Sequence, residues 1–392
     1  MEIEVYLEPL NERTLGFNFQ SRVDNQLGHI IESNRVGTLF PDYKQANIAI
    51  IGVPEDRNCL GNAGSASAPN DIRTLFYKLY SGFSNPKIVD LGNIIPGDTV
   101  DDTYFALTEV VNALLEYHVL PIVLGGSQDL SWAIYKAFEK RKRVINIAAI
   151  DSMFDLGNED EPLTSKSYLN KIILQQPNYL FNYTNIGYQT YFVDPDSIEL
   201  MNKLYFDIFR LGEIHNSVFE SEPMLRSADF LTIDLSAVRL SDSPACEHGS
   251  PNGFSGEELC QMTRFAGMSD KLAVVGFFEH NPILDNNHQS ALLVAQAMWY
   301  LIDGYFGRKK ELLSANKEQF IKYFVSIQNG TYDIVFYKSK KSDRWWMEVP
   351  YPIEKKERYE RHYLVPCSYK DYEIACQEDI PDRWWQALKK MV

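Results

Sequence analysis

Apolar residues along this chain follow two rhythms. Short, nearly unbroken apolar runs at 46–54, 87–91, 121–124, 144–150, 229–235 and 272–278 are separated by longer stretches whose apolar positions recur every three or four residues. An unbroken run of four to eight apolar residues predicts a strand covered on both faces, and the longer period predicts amphipathic helices. Such helices are expected from about 103 to 117, from 131 onward and from 288 to 301. In the last, Leu292, Ala295, Met298, Trp299 and Ile302 form the stripe that packs on the sheet. The alternation continues through 178–189, 196–204, 206–211 and 256–265. It predicts an α/β fold with a mainly parallel sheet between helices.

The two ends break the rhythm. Residues 1–46 have mixed polarity and read as a wrap on the main domain. Beyond 307 a charged, helix-like segment runs to about 324, followed by two strands at 332–338 and 345–349. The tetrapeptide Asp-Arg-Trp-Trp occurs twice here, at 343–346 and 382–385, and supplies four of the chain's six tryptophans. The reading is a main domain at 1–307 and a small α+β extension at 308–392. In it Trp345, Trp346, Trp384 and Trp385 are either anchors for a partner, because aromatic side chains dominate protein interfaces, or the hydrophobic core of that small unit.

Composition narrows the function classes. With 45% apolar and 23% charged residues the chain has globular proportions rather than those of a disordered one. A formal charge of −15 argues against a nucleic-acid surface, which needs clustered Lys and Arg. Five cysteines without C-x-x-C spacing read as reduced thiols. The first eight residues carry acids and no long apolar run, and no stretch reaches the ~20 apolar residues of a membrane span. A cytoplasmic protein is expected, with a protein partner or a second copy of itself.

Candidate chemistry sits where the 121–124 and 144–150 strands end. The first runs into Gly125-Gly126-Ser127-Gln128-Asp129 and the second into Asp151-Ser152-Met153-Phe154-Asp155. In an open parallel sheet the carboxyl ends of strands form the ligand-binding rim. Two carboxylates there with no positive residue between them suggest a hard metal ion.

The order of a glycine-pair turn, D-x-x-x-D after the next strand, and Asp234 within Thr232-Ile233-Asp234-Leu235-Ser236 resembles the ureohydrolase family of arginases, agmatinases and formimidoylglutamases. In the formimidoylglutamase branch the matching runs are GGGHE, DAHFD and SLDLDVFDP. Ile51-Gly52-Val53-Pro54, the run from Ser67 to Arg73, Ile186-Gly187-Tyr188-Gln189 and Glu279-His280-Asn281-Pro282 extend the likeness over about 45–305. The resemblance implies a three-layer α/β/α fold with about eight strands and a pair of manganese ions that activate a water. One ion's ligands fall on Gln128, Asp151, Asp155 and Asp234; the other's fall on Met153, Asp151, Asp234 and Ser236. Two imidazoles and a carboxylate are thus replaced by an amide, a thioether and a hydroxyl, and the second site is expected to be lost.

Three acids at one rim need a counter-charge, and Lys166 or Arg239 is expected to supply it. Glu279 matches the family's substrate-recognising glutamate and completes the candidate ligand pocket. The sequence therefore reads as a non-catalytic ureohydrolase homologue with no cofactor, acting as an interaction or assembly subunit. The alternative is a hydrolase of C–N bonds in amidine-like or guanidine-like substrates that uses one manganese, magnesium or calcium ion.

Overall fold

The computed structural model describes residues 2–19, 25–84, 86–158, 161–311, 317–328 and 330–391. Its main sheet has ten strands among these residues, two more than the resemblance implies. They are β1 (Leu7–Glu8), β2 (Glu32–Ser33), β3 (Ile48–Val53), β4 (Ile88–Ile94), β5 (Leu120–Gly125), β6 (Ile145–Ile150), β7 (Leu180–Tyr188), β8 (Asp207–Arg210), β9 (Phe230–Asp234) and β10 (Val274–Phe278). The order is β1-β4-β3-β5-β10-β9-β6-β7-β8, with β2 also on β4. Only β1 runs antiparallel. The surplus is β1 and β2, which the N-terminal wrap adds to one margin; two-residue strands leave no periodic signal to read.

Each unbroken apolar run became a strand. β3, β5, β6, β9 and β10 are buried along their whole length. Two apolar clusters cover the two sheet faces. Helices Val100–Glu116 and Gly256–Gly267 both begin with a capping box, at Thr99 and Ser255, which satisfies otherwise orphaned amides. The motif pieces at 51–54 and 67–73 prove to be one structural unit. Buried Arg73 pairs with Asp90 at 2.8 Å and donates to Asn93 Oδ1 at 2.6 Å. A Cβ on Gly52 would stand 2.0 Å from that same Asn93 oxygen, so only glycine admits the contact.

A second, antiparallel sheet follows: β11 (Phe320–Ile327), β12 (Tyr332–Ser339), β13 (Trp345–Glu348) and β14 (Leu364–Cys367), in that order. It is backed by helices Tyr369–Cys376 and Asp382–Met391. The expected helix from 308 to 324 is therefore corrected. Residues 312–316 of it lie outside the described residues, and from Phe320 the chain is strand, because β12 offers eight partners in register. Trp345 and Trp384 are also corrected: they are buried in this unit's own core, not displayed as anchors. Trp384 Nε1 donates to Glu348 O at 2.8 Å. Trp385 packs partly buried against that core.

The second sheet docks on the amino ends of β6, β7 and β9. Arg226 of the main unit donates to Trp345 O and Cys367 O at 3.0 and 3.2 Å, and its guanidinium lies 4.3 Å from the Trp346 ring centre. Trp346 is thus consumed by the seam between the two sheets. Arg361 reaches Asp229, just before β9, at 2.8 Å. The candidate rim is at the opposite end of the same strands.

Candidate functional site

Three strand ends build the rim. β5 leads into Gly126, where a Cβ would stand 2.0 Å from Glu55 O, and the tight turn that follows turns Gln128 inward. β6 delivers Asp151, whose Oδ1 accepts from Met153 N at 2.9 Å. β9 delivers Asp234, whose Oδ1 accepts from Ser236 N at 2.7 Å. Asp155 adopts φ 49°, a left-handed conformation that costs a non-glycine residue energy and brings its carboxylate back to the cluster. Asp151, Asp155 and Asp234 are buried, and each offers an oxygen within 4.8 Å of the others.

Lys166 is the counter-charge. Its Nζ lies 3.5 Å from Asp155 Oδ1 and 3.6 Å from Asp234 Oδ2. Arg239 is not: it is exposed and pairs with Asp242, three residues on, at 2.9 Å. A local carboxylate captured it. Burial, then the charges of Asp155 and Asp234, push the Asp151 carboxyl well above the usual range, with Lys166 opposing. Burial also raises Asp155, against the pull of Lys166. Burial alone would lower the Lys166 amine, but Asp155, Asp234 and Asp151 hold it well above its ordinary value.

Gln128 donates its amide to Asp151 Oδ2 at 3.0 Å and its backbone N–H to Glu279 Oε1 at 2.8 Å. Glu279 is buried and its second oxygen accepts from Asn62 at 2.8 Å. Both its oxygens are thus engaged by this chain, as expected of a residue that fixes the loop. Burial, then Asp234, push it up to about 8. The Ser236 hydroxyl bonds Ser152 at 2.9 Å, so of this residue only the backbone N–H serves the cluster. Met153 lines the mouth, a cleft of about 320 Å³, with Asp155, Lys166, Phe192 and His248. Asn62, Tyr168 and Asp129 escaped the sequence reading. Tyr168 OH accepts from the Gln128 amide at 3.3 Å, and Asp129 is held by Ser127 and Tyr104. Adjacency to Gln128 was the one signal for Asp129.

Asp155 Oδ1 and Oδ2, Asp234 Oδ2 and Gln128 Oε1 are buried without a hydrogen-bond donor. These four oxygens fit one hard, oxygen-ligated cation. They do not fit two, since Met153 and Ser236 supply no second set.

A sequence profile of the Arginase family matches residues 46–303, well over half of the chain. The chain belongs to the arginase family. Arginase-family relatives include the formimidoylglutamase of Vibrio cholerae, 27% identical over 307 residues, which are 70% of this chain and 90% of that protein. The Bacillus subtilis formimidoylglutamase is 22% identical over 65% of this chain and 86% of its own length. Its solved structure aligns with a TM-score of 0.66 at 20% identity, over 75% of this chain and 96% of that one. Trypanosoma cruzi formiminoglutamase with Mn2+ aligns at 0.62 and 20% identity, over 68% and 95%. The arginase-like fold is thereby shown. The second sheet lies beyond the family match. No helix among the described residues is long and apolar enough to cross a membrane.

Proposed function

We propose that this arginase-family protein does not run two-metal hydrolysis and acts as a non-catalytic interaction or assembly subunit. The observation that carries the reading is the Lys166 ammonium, 3.5 and 3.6 Å from two carboxylates that would otherwise hold an ion. A buried cation among these acids lowers the gain from binding a metal, because the metal must displace it. A partner surface is supported by an open groove of about 1050 Å³ between helices Gly256–Gly267 and Gln289–Phe306, where Tyr80, Phe219, Leu292 and Tyr300 are exposed. Large contiguous exposed apolar patches mark interaction sites.

The second reading is a single-metal hydrolase of C–N bonds in formimino-like or amidine-like substrates. It is favoured by the four donor-less oxygens and by the relatives, whose names are those of hydrolases. Asp151, Asp155, Asp234 and Gln128 would hold the ion, which when bound acidifies a water. Lys166 would have to swing into the cleft, where its amine could hand a proton to a leaving nitrogen. Calorimetry with Mn2+ and formamide or urea release by the intact chain separate the two. The first reading expects no binding at micromolar Mn2+ and no release above an Asp151→Ala control; metal-dependent release overturns it.

A further inference from the structure

We infer that the seam between the two sheets contains a binding site for a small protonated oxyanion, of the class of inorganic phosphate in its protonated forms. A cavity of about 50 Å³ lies there, with Asn146, Phe181, Asp207, Lys271, His362 and Lys390 in its wall. A buried water occupies roughly 10–15 Å³ of such space, so the cavity suits about three to five non-hydrogen atoms.

Charge points to an anion. Asp229 is the carboxylate shared by Arg143, Arg361 and Lys271, at 2.8, 2.8 and 3.6 Å. That trio exceeds it by two positive charges, and Lys271 also lines the cavity. Lys390 comes from the C-terminal helix and is held by Asn182, with Asp207 at 3.9 Å as its one opposing acid. Burial costs such cations stability unless a negative group joins them.

Unpartnered atoms specify which anion. His362 is 4% exposed, stacks on Phe181 at 4.1 Å between ring centres, and turns one ring N–H towards the Val144 backbone, which leaves its other nitrogen an acceptor without a donor. Asn146 is 7% exposed, and its Oδ1 is likewise an acceptor without a donor. A neutral imidazole has one N–H to give and one lone pair to fill. The lysines serve oxygens that accept, whereas the imidazole lone pair and Asn146 Oδ1 each require an O–H. Dihydrogen phosphate, well populated at pH 7, carries two O–H groups and two accepting oxygens; sulfate and acetate at neutral pH carry no O–H.

The test is calorimetric titration of the full chain at pH 7 and fixed ionic strength with inorganic phosphate, sulfate and acetate. Saturable phosphate binding, at least tenfold tighter than sulfate or acetate, is expected. His362→Phe keeps the stack on Phe181 and should weaken phosphate binding tenfold or more; Lys390→Gln is the second variant and should do the same. The site is refuted by no saturable phosphate binding, by sulfate binding equally well, or by phosphate affinity unchanged in folded His362→Phe or Lys390→Gln protein.

Discussion

β9 has a buried aspartate at each end, and the two are solved in opposite ways. Asp229, before the strand, takes Arg143, Arg361, Lys271 and the Asn146 N–H. Asp234, at its end, shares the single cation Lys166 with Asp155 and Asp151. Burial acts on Asp229 too, yet Lys271, Arg361 and Arg143 overcome it and hold that carboxyl well below the usual range. At the rim burial and mutual repulsion win, and Asp151 and Asp155 are raised. One end is over-neutralised and joins two sheets; the other is under-neutralised. Burial alone does not distinguish a structural acid from a site acid. The ratio of cations to carboxylates does.

The largest effect should come from breaking the over-neutralised end. Asp229→Ala leaves three cations around an empty place, and removing one partner from a buried ionic cluster costs about 3–5 kcal/mol. Urea unfolding at pH 7 reads it. Asp155→Ala at the other end removes one of three repelling acids and should be neutral or stabilising. Equal losses for the two would erase the distinction drawn here.

Next in size is Lys166→Met, which strips the rim of its counter-charge. A loss of about 3 kcal/mol is expected at pH 8, on the same ground. The variant should also gain Mn2+ affinity, which calorimetry measures, because the ion no longer competes with the ammonium. Gln128→His, Met153→His and Ser236→Asp should restore tight Mn2+ binding only in that background. If the triple variant binds Mn2+ with Lys166 present, Lys166 is not the occupant of the ion's place.

The two ends also predict opposite responses to pH. A carboxyl lowered in the folded state gives stability that is present above its unfolded value, near 3.9, and lost as pH falls. Asp229 therefore sets the acid side. Carboxyls raised in the folded state favour folding at low pH and withdraw that support as pH rises towards their folded values. Glu279, pushed up to about 8, extends this decline across neutrality. Stability should be highest in mild acid and fall towards pH 8, at no more than about 1.4 kcal/mol per pH unit for each proton. Denaturation midpoints from pH 4 to 8 test it, and Glu279→Gln should flatten the upper part even if its lost acceptor lowers the whole curve.

These contrasts show what a sequence can carry. The rim was legible because its acids each follow a fully apolar strand, so chain order alone places them at one sheet edge. Lys166 was legible as a cation in a loop facing acids that lack a metal's full ligand set. Arg239 misled because Asp242, three residues away, offered a nearer partner than the cluster. The doubled Trp-Trp pairs left two readings open, anchor or core, and Trp345 and Trp384 take the second because a small second sheet needs large apolar residues. Asp229 was invisible: its cations come from positions 143, 271 and 361, and no local pattern links them.

The smallest effect should follow Arg361→Met, and its pH dependence is what makes it informative. Arg361 is the contribution of the second sheet to Asp229, and its side chain is 42% exposed. Half-exposed ion pairs are worth about 1 kcal/mol or less, and Arg143 and Lys271 remain. Its removal also relieves repulsion. Burial, against the pull of Asp229 and with the push of Arg361 and Arg143, brings the Lys271 amine down to about 8. An amine lowered in the folded state penalises folding below that value, and the penalty fades as pH rises from about 8 towards the unfolded lysine value near 10.4. At pH 7 the lost pair and the relieved repulsion should nearly cancel. At pH 9.5 Lys271 is already neutral in the wild-type chain, so the relief is gone and the cost of losing Arg361 should emerge. Urea midpoints of the two proteins should therefore coincide at pH 7 and separate at pH 9.5; a gap that is constant with pH would mean that Arg361 and Lys271 do not act on the same carboxylate.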